Sequence, residues 1–523
     1  MTKQVLSLLL ASGLLLTELP HFANAQTAPI KQWDKTFGGS GGDEAKSLQQ
    51  TRDGGYILGG FSNSPVSGDK TQASQGLEDY WVVKVDVNGT KQWDRTFGGR
   101  SIDVLLEVEQ TSDGGYILGG SSNSPISGDK TQANQRESDY WVVKLDANGI
   151  KQWDRTFGGL LNDQLSSVRA TPDGGCILGG TSFSFPAGDK TLSDYWIVKV
   201  DASGNKQWDH TFGGQLIETL YDVQQIRDGG YILGGDSFSP SSGDKTQANQ
   251  GVSDYWVVKV DANGVKQWDR TFGGSNTDRL RALQQTSDGG YLLAGYSNSP
   301  LSGDKTQANP GGLNCWLLKL TADGTKVWDK TLGGATVDYA YAVKQASDGG
   351  YVVCALSNSP MSGDKTQPSQ GDYDYWLFKV DANGTKLWDR TIGGSGTDLV
   401  DALAFTSDGG FLLSGHSTSG INGDKSQASQ GFSDYWLVKL GAAPLASSSA
   451  KSAAPLTVSP NPTSSQLTLH GPAGTPYQLL NQLGQVVRSG KISAQPLDVQ
   501  ALPAGLYLLR DATSGRTSKL VKE

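Results

Sequence analysis

One short motif occurs seven times along the chain, and this repetition constrains the fold more than any other feature. The segment Lys31-Gln-Trp-Asp-Lys-Thr-Phe-Gly-Gly39 returns every 60 residues, except for one interval of 55 residues. Each unit continues with segments related to Asp-Gly-Gly-Tyr, Gly-Asp-Lys and Asp-Tyr-Trp. Evenly spaced units of this length are typical of proteins in which each repeat packs on its neighbours. The motif starts at Lys31, Lys91, Lys151, Lys206, Lys266, Lys326 and Lys386.

Each unit predicts four β-strands. In the first unit we expect them at about 46–51, 56–61, 80–85 and 92–97, where apolar, aromatic and β-branched residues concentrate. Asp-Gly-Gly and Asn-Gly segments between them are tight-turn signals, because glycine adopts positive φ at little cost. Without the 17-residue loop 62–78, the unit has about 43 residues, which is typical of a four-stranded propeller blade.

The two ends of the array complement each other. It begins with a lone fourth strand at about 32–37 and ends with only three strands, the last at about 435–440. The first strand can complete the last unit, which removes two exposed sheet edges. The sequence therefore predicts an all-β, seven-bladed β-propeller closed by its N-terminal strand. An open β-solenoid or β-helix is the alternative.

Tryptophan and cysteine follow the repeat. All 14 tryptophans occupy two repeat positions, inside the third and fourth predicted strands. This regularity indicates packing between blades, since tryptophans that bind ligands would stand at irregular loop positions. Cys176, Cys315 and Cys354 each replace a different strand residue. They predict small buried side chains, without a disulfide framework or a metal site.

Residues 1–25 have the pattern of a secretory signal peptide, with Lys3, an apolar core at 5–16 and the cleavage signal Ala23-Asn-Ala25. The core is too short to cross a bilayer, and no later segment is longer, so we expect no transmembrane segment in the mature chain. The net charge of −9 forms no basic face, which argues against nucleic acid as a partner. We expect a monomer.

A repeated acidic residue is the main candidate for a site. Connections in an up-and-down blade alternate between ends, so the loops before the first strand and after the second share one face, the long-loop face. Four residues after each Gly-Gly, an acid precedes the first strand. It is expected to bind a ligand or cation at the channel mouth, or to fix its own turn through backbone N–H groups. These residues are Asp43, Asp103, Asp163, Glu218, Asp278, Asp338 and Asp398.

Each long loop also contains Gly-Asp-Lys. Its aspartate could ligate Ca²⁺, although EF-hand spacing is absent. A turn-forming aspartate beside a solvated lysine is the preferred interpretation, so we expect no cofactor, with Ca²⁺ as the possible exception. The aspartates are Asp69, Asp129, Asp189, Asp244, Asp304, Asp364 and Asp424.

No nucleophile elbow, zinc motif or phosphate loop is present in the sequence, so we predict no catalytic residue and no metal site. Catalysis normally needs one asymmetric group of residues, whereas seven copies of one unit offer seven equal sites or none. This favours a non-enzymatic binding or scaffold protein whose ligand is a glycan or a protein. The alternatives are a polysaccharide-active hydrolase or lyase on a propeller and a purely structural coat protein.

The C-terminal part has a different pattern. Residues 441–455 are rich in Ala, Ser and Pro, which is typical of a linker. They divide the chain into a signal peptide at 1–25, a propeller at 26–440, the linker, and a small β-sandwich at 456–523.

The segments Val458-Ser-Pro-Asn-Pro462, Leu479-Leu-Asn-Gln-Leu-Gly-Gln485, Leu502-Pro-Ala-Gly-Leu-Tyr-Leu508 and Lys519-Leu-Val-Lys522 resemble the type A C-terminal sorting domain of the type IX secretion system. The resemblance implies a bacterium of the Bacteroidota, passage through the periplasm and recognition by the type IX machinery. It further implies release from the cell or attachment to the outer-membrane surface. The Asp-Gly-Gly-Tyr and Trp-Val-Val-Lys segments likewise resemble repeats of secreted proteins from such bacteria, and this implies no activity.

Overall fold

The computed structural model describes residues 27–184, 193–441, 456–482, 485–512 and 517–523. The chain divides into two compact units, Met1–Leu445 and Ala446–Glu523. The predicted signal peptide and residues 442–455 of the predicted linker lie outside the described residues. Every regular element in the described ranges is a β-strand, and none of them contains a helix able to cross a membrane.

The first unit contains seven four-stranded antiparallel sheets, here called blades 1 to 7, with strands a to d. Blade 1 consists of Asp43–Gln50, Tyr56–Ser62, Asp79–Val85 and Lys91–Phe97. Blade 2 consists of Asp103–Gln110, Tyr116–Ser122, Asp139–Leu145 and Lys151–Phe157. Blade 3 consists of Asp163–Ala170, Cys176–Ser182, Asp194–Val200 and Lys206–Phe212. Blade 4 consists of Glu218–Gln225, Tyr231–Ser237, Asp254–Val260 and Lys266–Phe272.

The remaining three blades have the same order. Blade 5 consists of Asp278–Gln285, Tyr291–Ser297, Asn314–Leu320 and Lys326–Leu332. Blade 6 consists of Asp338–Gln345, Tyr351–Ser357, Asp374–Val380 and Lys386–Ile392. Blade 7 consists of Asp398–Phe405, Phe411–Ser417, Asp434–Leu440 and, as strand d, Lys31–Phe37. Strands a of neighbouring blades contact one another, so they surround the central channel.

The N-terminal strand completes blade 7, as predicted. Thr36 pairs with Trp436, and the Trp436 indole Nε1 donates to Asp34 Oδ2 at 3.1 Å. Strand a of blade 1 contacts blade 7 as it contacts blade 2. The ends of the array therefore meet in one sheet, which an open solenoid would not show.

Strand a is longer than the sequence predicts. In blade 1 it begins at Asp43 because its ladder with strand b extends to the pair Asp43–Ser62. The Asp43 N–H also donates to the Ser433 carbonyl of blade 7 at 2.8 Å. A contact with a blade distant in sequence therefore fixes the start of this strand.

Tyrosine and tryptophan join the blades, which confirms the packing role predicted for tryptophan. Tyr80 and Trp141 of the next blade have ring centroids 4.7 Å apart, and the tyrosine hydroxyl donates to the Trp141 carbonyl at 2.9 Å. The same hydrogen bond occurs at five further blade interfaces. Gly120 makes room for it, because a Cβ there would lie 2.7 Å from Tyr80 Oη.

The interface between blades 5 and 6 departs from this pattern at two positions. Cys315 replaces the tyrosine, and Ala355 replaces the glycine that faces it. Loss of the bulky phenol is thus matched by gain of a methyl group. All three cysteines are buried and free, as predicted.

The C-terminal unit consists of two small sheets that share one core. The three-stranded sheet contains Thr457–Ser459, Gln466–His470 and Leu497–Asp498. The four-stranded sheet contains Pro476–Leu480, Val486–Lys491, Gly505–Asp511 and Thr517–Lys522. Buried Leu467 from the first sheet and Leu479 from the second belong to the same apolar cluster.

Candidate functional site

A β-bulge recurs in strand a of every blade. In blade 1 the pairing with strand b shifts between Ala45 and Ser47, which leaves Lys46 outside the ladder. Such an extra residue bends its strand and redirects its own side chain. Here the seven extra side chains line the central channel, and we call them the channel ring. The ring consists of Lys46, Leu106, Ser166, Tyr221, Arg281, Tyr341 and Asp401.

The channel ring lies between two cavities. The larger has a volume of about 730 Å³ and also contacts Ile102, Asn123, Ser138 and Asn162. These four residues belong to the loops before strand a and between strands b and c, so this cavity opens on the long-loop face. The smaller cavity, of about 190 Å³, lies on the other side of the ring. The ring thus forms the floor of a pit that is open toward the long loops.

Arg281 is surrounded by tyrosines. Its guanidinium carbon lies 4.2 Å from the centre of the Tyr221 ring, 5.6 Å from that of Tyr296 and 5.8 Å from that of Tyr341. Its Nη2 donates to the Tyr296 hydroxyl at 3.4 Å, and its Nε is buried without a hydrogen-bond partner. No carboxylate among the described residues lies within 4.0 Å of this guanidinium.

The positive charge of Lys46, in contrast, is compensated by two carboxylates. Its Nζ lies 3.2 Å from Glu44 Oε2 and 3.6 Å from Asp401 Oδ2. Burial alone would lower the pKa of Lys46, but the charges of Asp401 and Glu44 outweigh burial and raise it. His416 lies 3.7 Å from Asp401 and 3.8 Å from Glu44. This side of the channel therefore holds a compact acid–base group.

Ion pairs border the smaller cavity. Arg169 contacts Glu107, and its Nη2 lies 2.9 Å from Asp222 Oδ1. Burial raises the pKa of Asp222, while Arg169 acts in the opposite direction. The Glu109 carboxylate accepts the Ala170 N–H at 2.8 Å. These paired charges occupy the channel on the side away from the long loops.

The seven predicted acids lie beside the channel mouth without lining either channel cavity. Each is fully buried. In blade 1, Asp43 Oδ2 accepts the Gly39 N–H at 2.7 Å and the Ser64 hydroxyl at 2.9 Å. The contact with the second glycine of Gly-Gly recurs at every equivalent acid. These carboxylates fix their turns, and a role for them in ligand binding stays a prediction.

The prediction of a solvated lysine in the Gly-Asp-Lys loop is wrong. Lys70 is only 1% exposed, donates to Thr96 Oγ1 at 2.7 Å and lies over the Trp81 ring. Burial lowers its pKa to about 8, although Asp43, Asp79 and Asp94 oppose that shift. The buried lysine supplies a positive charge near three carboxylates of its own blade. Its described equivalents are Lys130, Lys245, Lys305, Lys365 and Lys425, and Lys190 lies outside the described residues.

Metal-ligating side chains do not converge in the described part of the chain. No group of three or more His, Cys, Asp or Glu residues there is arranged to hold a metal ion. In blade 1 the buried carboxylates have the Lys70 ammonium beside them. Ca²⁺ binding by the Gly-Asp-Lys loops stays a prediction.

Sequence reasoning missed the channel ring. The signal is present, because alignment of the units shows a different residue at this position in almost every copy, with only tyrosine used twice. The bulge itself leaves no such mark, since the residues on either side of it resemble ordinary alternating strand residues. The ring supplies the asymmetry that repetition of one unit was expected to exclude.

Comparison with protein families identifies the C-terminal unit. Residues 457–523 match the secretion system C-terminal sorting domain, which confirms the resemblance to the type IX sorting domain. This domain indicates export to the cell surface or the medium. The match covers only this part of the chain.

Other similarities are distant. The chain is 22% identical over 440 residues to the "Regulatory protein FlaEY" of Caulobacter vibrioides, covering 76% of this chain but only 45% of that protein. A protein of unknown function from Dyadobacter fermentans shows 10% identity and a TM-score of 0.40, over 79% of this chain and 98% of that chain. The Neurospora crassa Pan2 WD40 domain shows 10% identity and a TM-score of 0.39, over 78% and 90% of the two chains. Similarities at this level carry no functional conclusion.

Proposed function

We propose that this chain, which carries a type IX C-terminal sorting domain, is an exported, non-enzymatic binding protein whose ligand enters the central channel from the long-loop face. The ligand is a glycan, and the protein acts as a monomer without a cofactor. After export it stays attached to the outer-membrane surface or is released. The observation that carries the proposal is the channel ring, one asymmetric set of side chains inside a repetitive scaffold.

The channel has the size and composition of a binding site. Ligand pockets of proteins usually measure about 300–1,000 Å³ and combine apolar walls with a few polar groups. The larger cavity falls within this range, at about 730 Å³. Its wall combines apolar Leu106 and Val104 with the polar side chains of Gln164, Ser166 and Thr219. The channel ring makes the wall of this cavity asymmetric, unlike any feature built from the repeated residues.

A polysaccharide-active hydrolase or lyase is the second candidate. The observation in its favour is the acid–base group formed by Glu44, Lys46, Asp401 and His416 at the channel wall. Such groups can transfer protons when a substrate lies within hydrogen-bonding distance. In the binding proposal the same four residues form part of the channel wall and carry out no proton transfer.

A glycan array probed with the exported protein tests the proposal. Saturable binding without release of shortened products supports it, and product release supports the enzyme instead. Ser166→Trp places a large side chain in the pit and should abolish binding. Ser112→Trp, on an exposed turn of the opposite face, is the matched control and should bind as the parent does. Unchanged binding by Ser166→Trp would overturn the channel as the site.

A further inference from the structure

The channel residues also indicate what kind of glycan would bind, and this inference rests on the proposed function. We propose that the ligand is an acidic saccharide, a polyhydroxyl ring that bears a carboxylate or a sulfate. Its anionic group is bound by Arg281 at the floor of the pit, between Tyr221 and Tyr341.

Arg281 is the cation of the channel ring that remains available to a ligand. The other cation of the ring, Lys46, has two carboxylates within 3.6 Å. Arg279, two residues before Arg281, has its Nε 3.8 Å from Asp236. Arg281 has no carboxylate of the described residues within 4.0 Å. A half-buried guanidinium without a carboxylate is costly unless another anion compensates its charge.

The tyrosines hold the guanidinium in place without consuming its charge. Stacking on Tyr221, at 4.2 Å, is a cation–π contact and fixes the plane of the guanidinium. The described hydrogen bonds of Arg281 use only Nη2, toward the Tyr296 hydroxyl. Nε and the remaining N–H groups are left as donors, and paired donors of this kind bind a carboxylate or sulfate in a bidentate manner.

The acid near the two arginines is Asp236, and it lies closer to Arg279 than to Arg281. It is buried, and burial raises its pKa to about 7 although Arg279 and Arg281 oppose this shift. The Tyr221 hydroxyl likewise opposes the rise in pKa. Among the described contacts, Asp236 lies within 4.0 Å of Arg279 and not of Arg281, so it does not occupy the anion position itself.

The rest of the pit matches a sugar ring better than a simple anion. Tyr221 and Tyr341 both line the pit and can pack against the faces of sugar rings. Around them, Asn162, Gln164 and Ser166 supply amide and hydroxyl groups to pair with ring hydroxyls. The combined wall therefore selects a molecule that is polyhydroxylated and carries one negative charge near the floor.

The test measures binding of three trisaccharides to the intact exported protein by isothermal titration calorimetry. Trigalacturonate represents the carboxylate, a sulfated trisaccharide represents the sulfate, and maltotriose is the neutral reference. We expect at least one acidic probe to bind tenfold or more tightly than maltotriose. The acidic probe that binds more tightly identifies the natural anion.

Arg281→Gln should reduce the affinity for the acidic probes to the level of maltotriose. Arg281→Lys keeps the charge without the planar fork of the guanidinium. Its affinity for the acidic probes should lie between those of the parent and of Arg281→Gln. Arg52→Gln, on an exposed turn of the opposite face, is the matched control and should behave as the parent. Thermal unfolding of each variant shows whether the fold is kept.

The two proposals fail in different ways. Equal binding of acidic and neutral probes, or an acidic preference that survives in folded Arg281→Gln, overturns the acidic-saccharide inference but leaves the proposed function. No binding of any glycan, either here or on the array, overturns both.

Discussion

The blade interfaces and the channel wall use the same seven repeats in opposite ways. At six of the seven interfaces the tyrosine hydroxyl of one blade bonds the tryptophan carbonyl of the next. In the channel ring, one equivalent position carries Lys, Leu, Ser, Tyr, Arg, Tyr and Asp in turn. The residues at the blade interfaces are nearly the same in every blade, whereas the residues of the channel ring differ in almost every blade.

The β-bulge explains the difference. Leu105 lies inside the ladder, is fully buried and packs against the neighbouring blade. Leu106, the next residue, lies outside the ladder and faces the channel. A residue outside the ladder and the interface can change without disturbing either. The fold thus separates the positions that join neighbouring blades from the channel-ring positions, which are free to bind a ligand.

Opening the closed circle of blades should have the largest effect on the blade interfaces. Deleting 31–37 removes strand d of blade 7 and the Asp34–Trp436 hydrogen bond. The exposed edge of the last sheet should cause association, and the cooperative unfolding transition should be lost. Size-exclusion chromatography and urea unfolding measure both effects. Exposed Gln32→Ala is the control, and a monomeric deletion variant with the parent's unfolding midpoint would contradict closure.

The next largest effect comes from adjacent leucines. Leu105→Ala should lower the free energy of unfolding by about 2–5 kcal/mol, the usual cost of truncating a core leucine. Leu106→Ala should change it by less than about 0.5 kcal/mol and should alter ligand affinity. Urea unfolding and calorimetric titration of both variants separate the two roles. Equal stability losses would show that the channel wall is also structural.

Replacing the interface glycine should have a somewhat smaller effect. A Cβ at Gly120 would lie 2.0 Å from the Val104 carbonyl and 2.7 Å from Tyr80 Oη, so Gly120→Ala should cost about 1–3 kcal/mol. In the exceptional interface, Cys315→Tyr alone should destabilise the protein, and adding Ala355→Gly should recover the loss. A double-mutant cycle measures this coupling. Additive effects would refute the proposed compensation.

Asp79, a buried acid at the start of strand c of blade 1, should change stability in a pH-dependent way, by about 1–3 kcal/mol. Burial raises the pKa of Asp79 to about 6, and nearby Asp103 adds to the shift while hydrogen bonds from Gln75 and Gly76 oppose it. Because this value exceeds the unfolded one, the stabilisation is complete below about pH 4 and is lost as pH rises through 6. Asp79→Asn should therefore stabilise the protein at pH 7 but much less at pH 4.5.

Urea midpoints at the two pH values test this prediction, and Asn314 shows that an amide is accepted at the equivalent position of blade 5. Asp113→Asn is the matched contrast. Its pKa is held at about 2, because hydrogen bonds from Thr111 and Lys144 outweigh partial burial. That variant should lose stability at pH 7. A urea midpoint lower than the parent's for Asp79→Asn at pH 7 would contradict a raised pKa of Asp79.

The smallest expected effect is that of Ca²⁺ removal. In blade 1 the buried Lys70 ammonium already provides a positive charge near the carboxylates of Asp43, Asp79 and Asp94. Dialysis against EDTA should therefore leave the thermal unfolding midpoint unchanged. A midpoint that falls with EDTA and returns with Ca²⁺ would show that the loops need the ion.

The sequence was sufficient for the fold because its strongest signals are local and repeated seven times. Asp53-Gly-Gly55 predicted a turn, and Gly54 has a φ of +84°. The closure by the N-terminal strand could be predicted because the array begins with a lone fourth strand and its last unit lacks one. A lysine in a polar loop resembles a solvated one, and only the burial of Lys70 against Thr96 and Trp81 shows otherwise. Arg281 was missed because its neighbours Tyr221 and Tyr341 lie 60 residues away on either side.

Ligand stoichiometry is the most direct test of the central claim, that one asymmetric channel, and not seven repeated sites, binds the ligand. Native mass spectrometry of the intact protein titrated with trigalacturonate counts the bound molecules. The account predicts one molecule per chain, and none for Ser166→Trp. Several equivalent molecules per chain, up to seven, or one molecule that persists in Ser166→Trp, would contradict it.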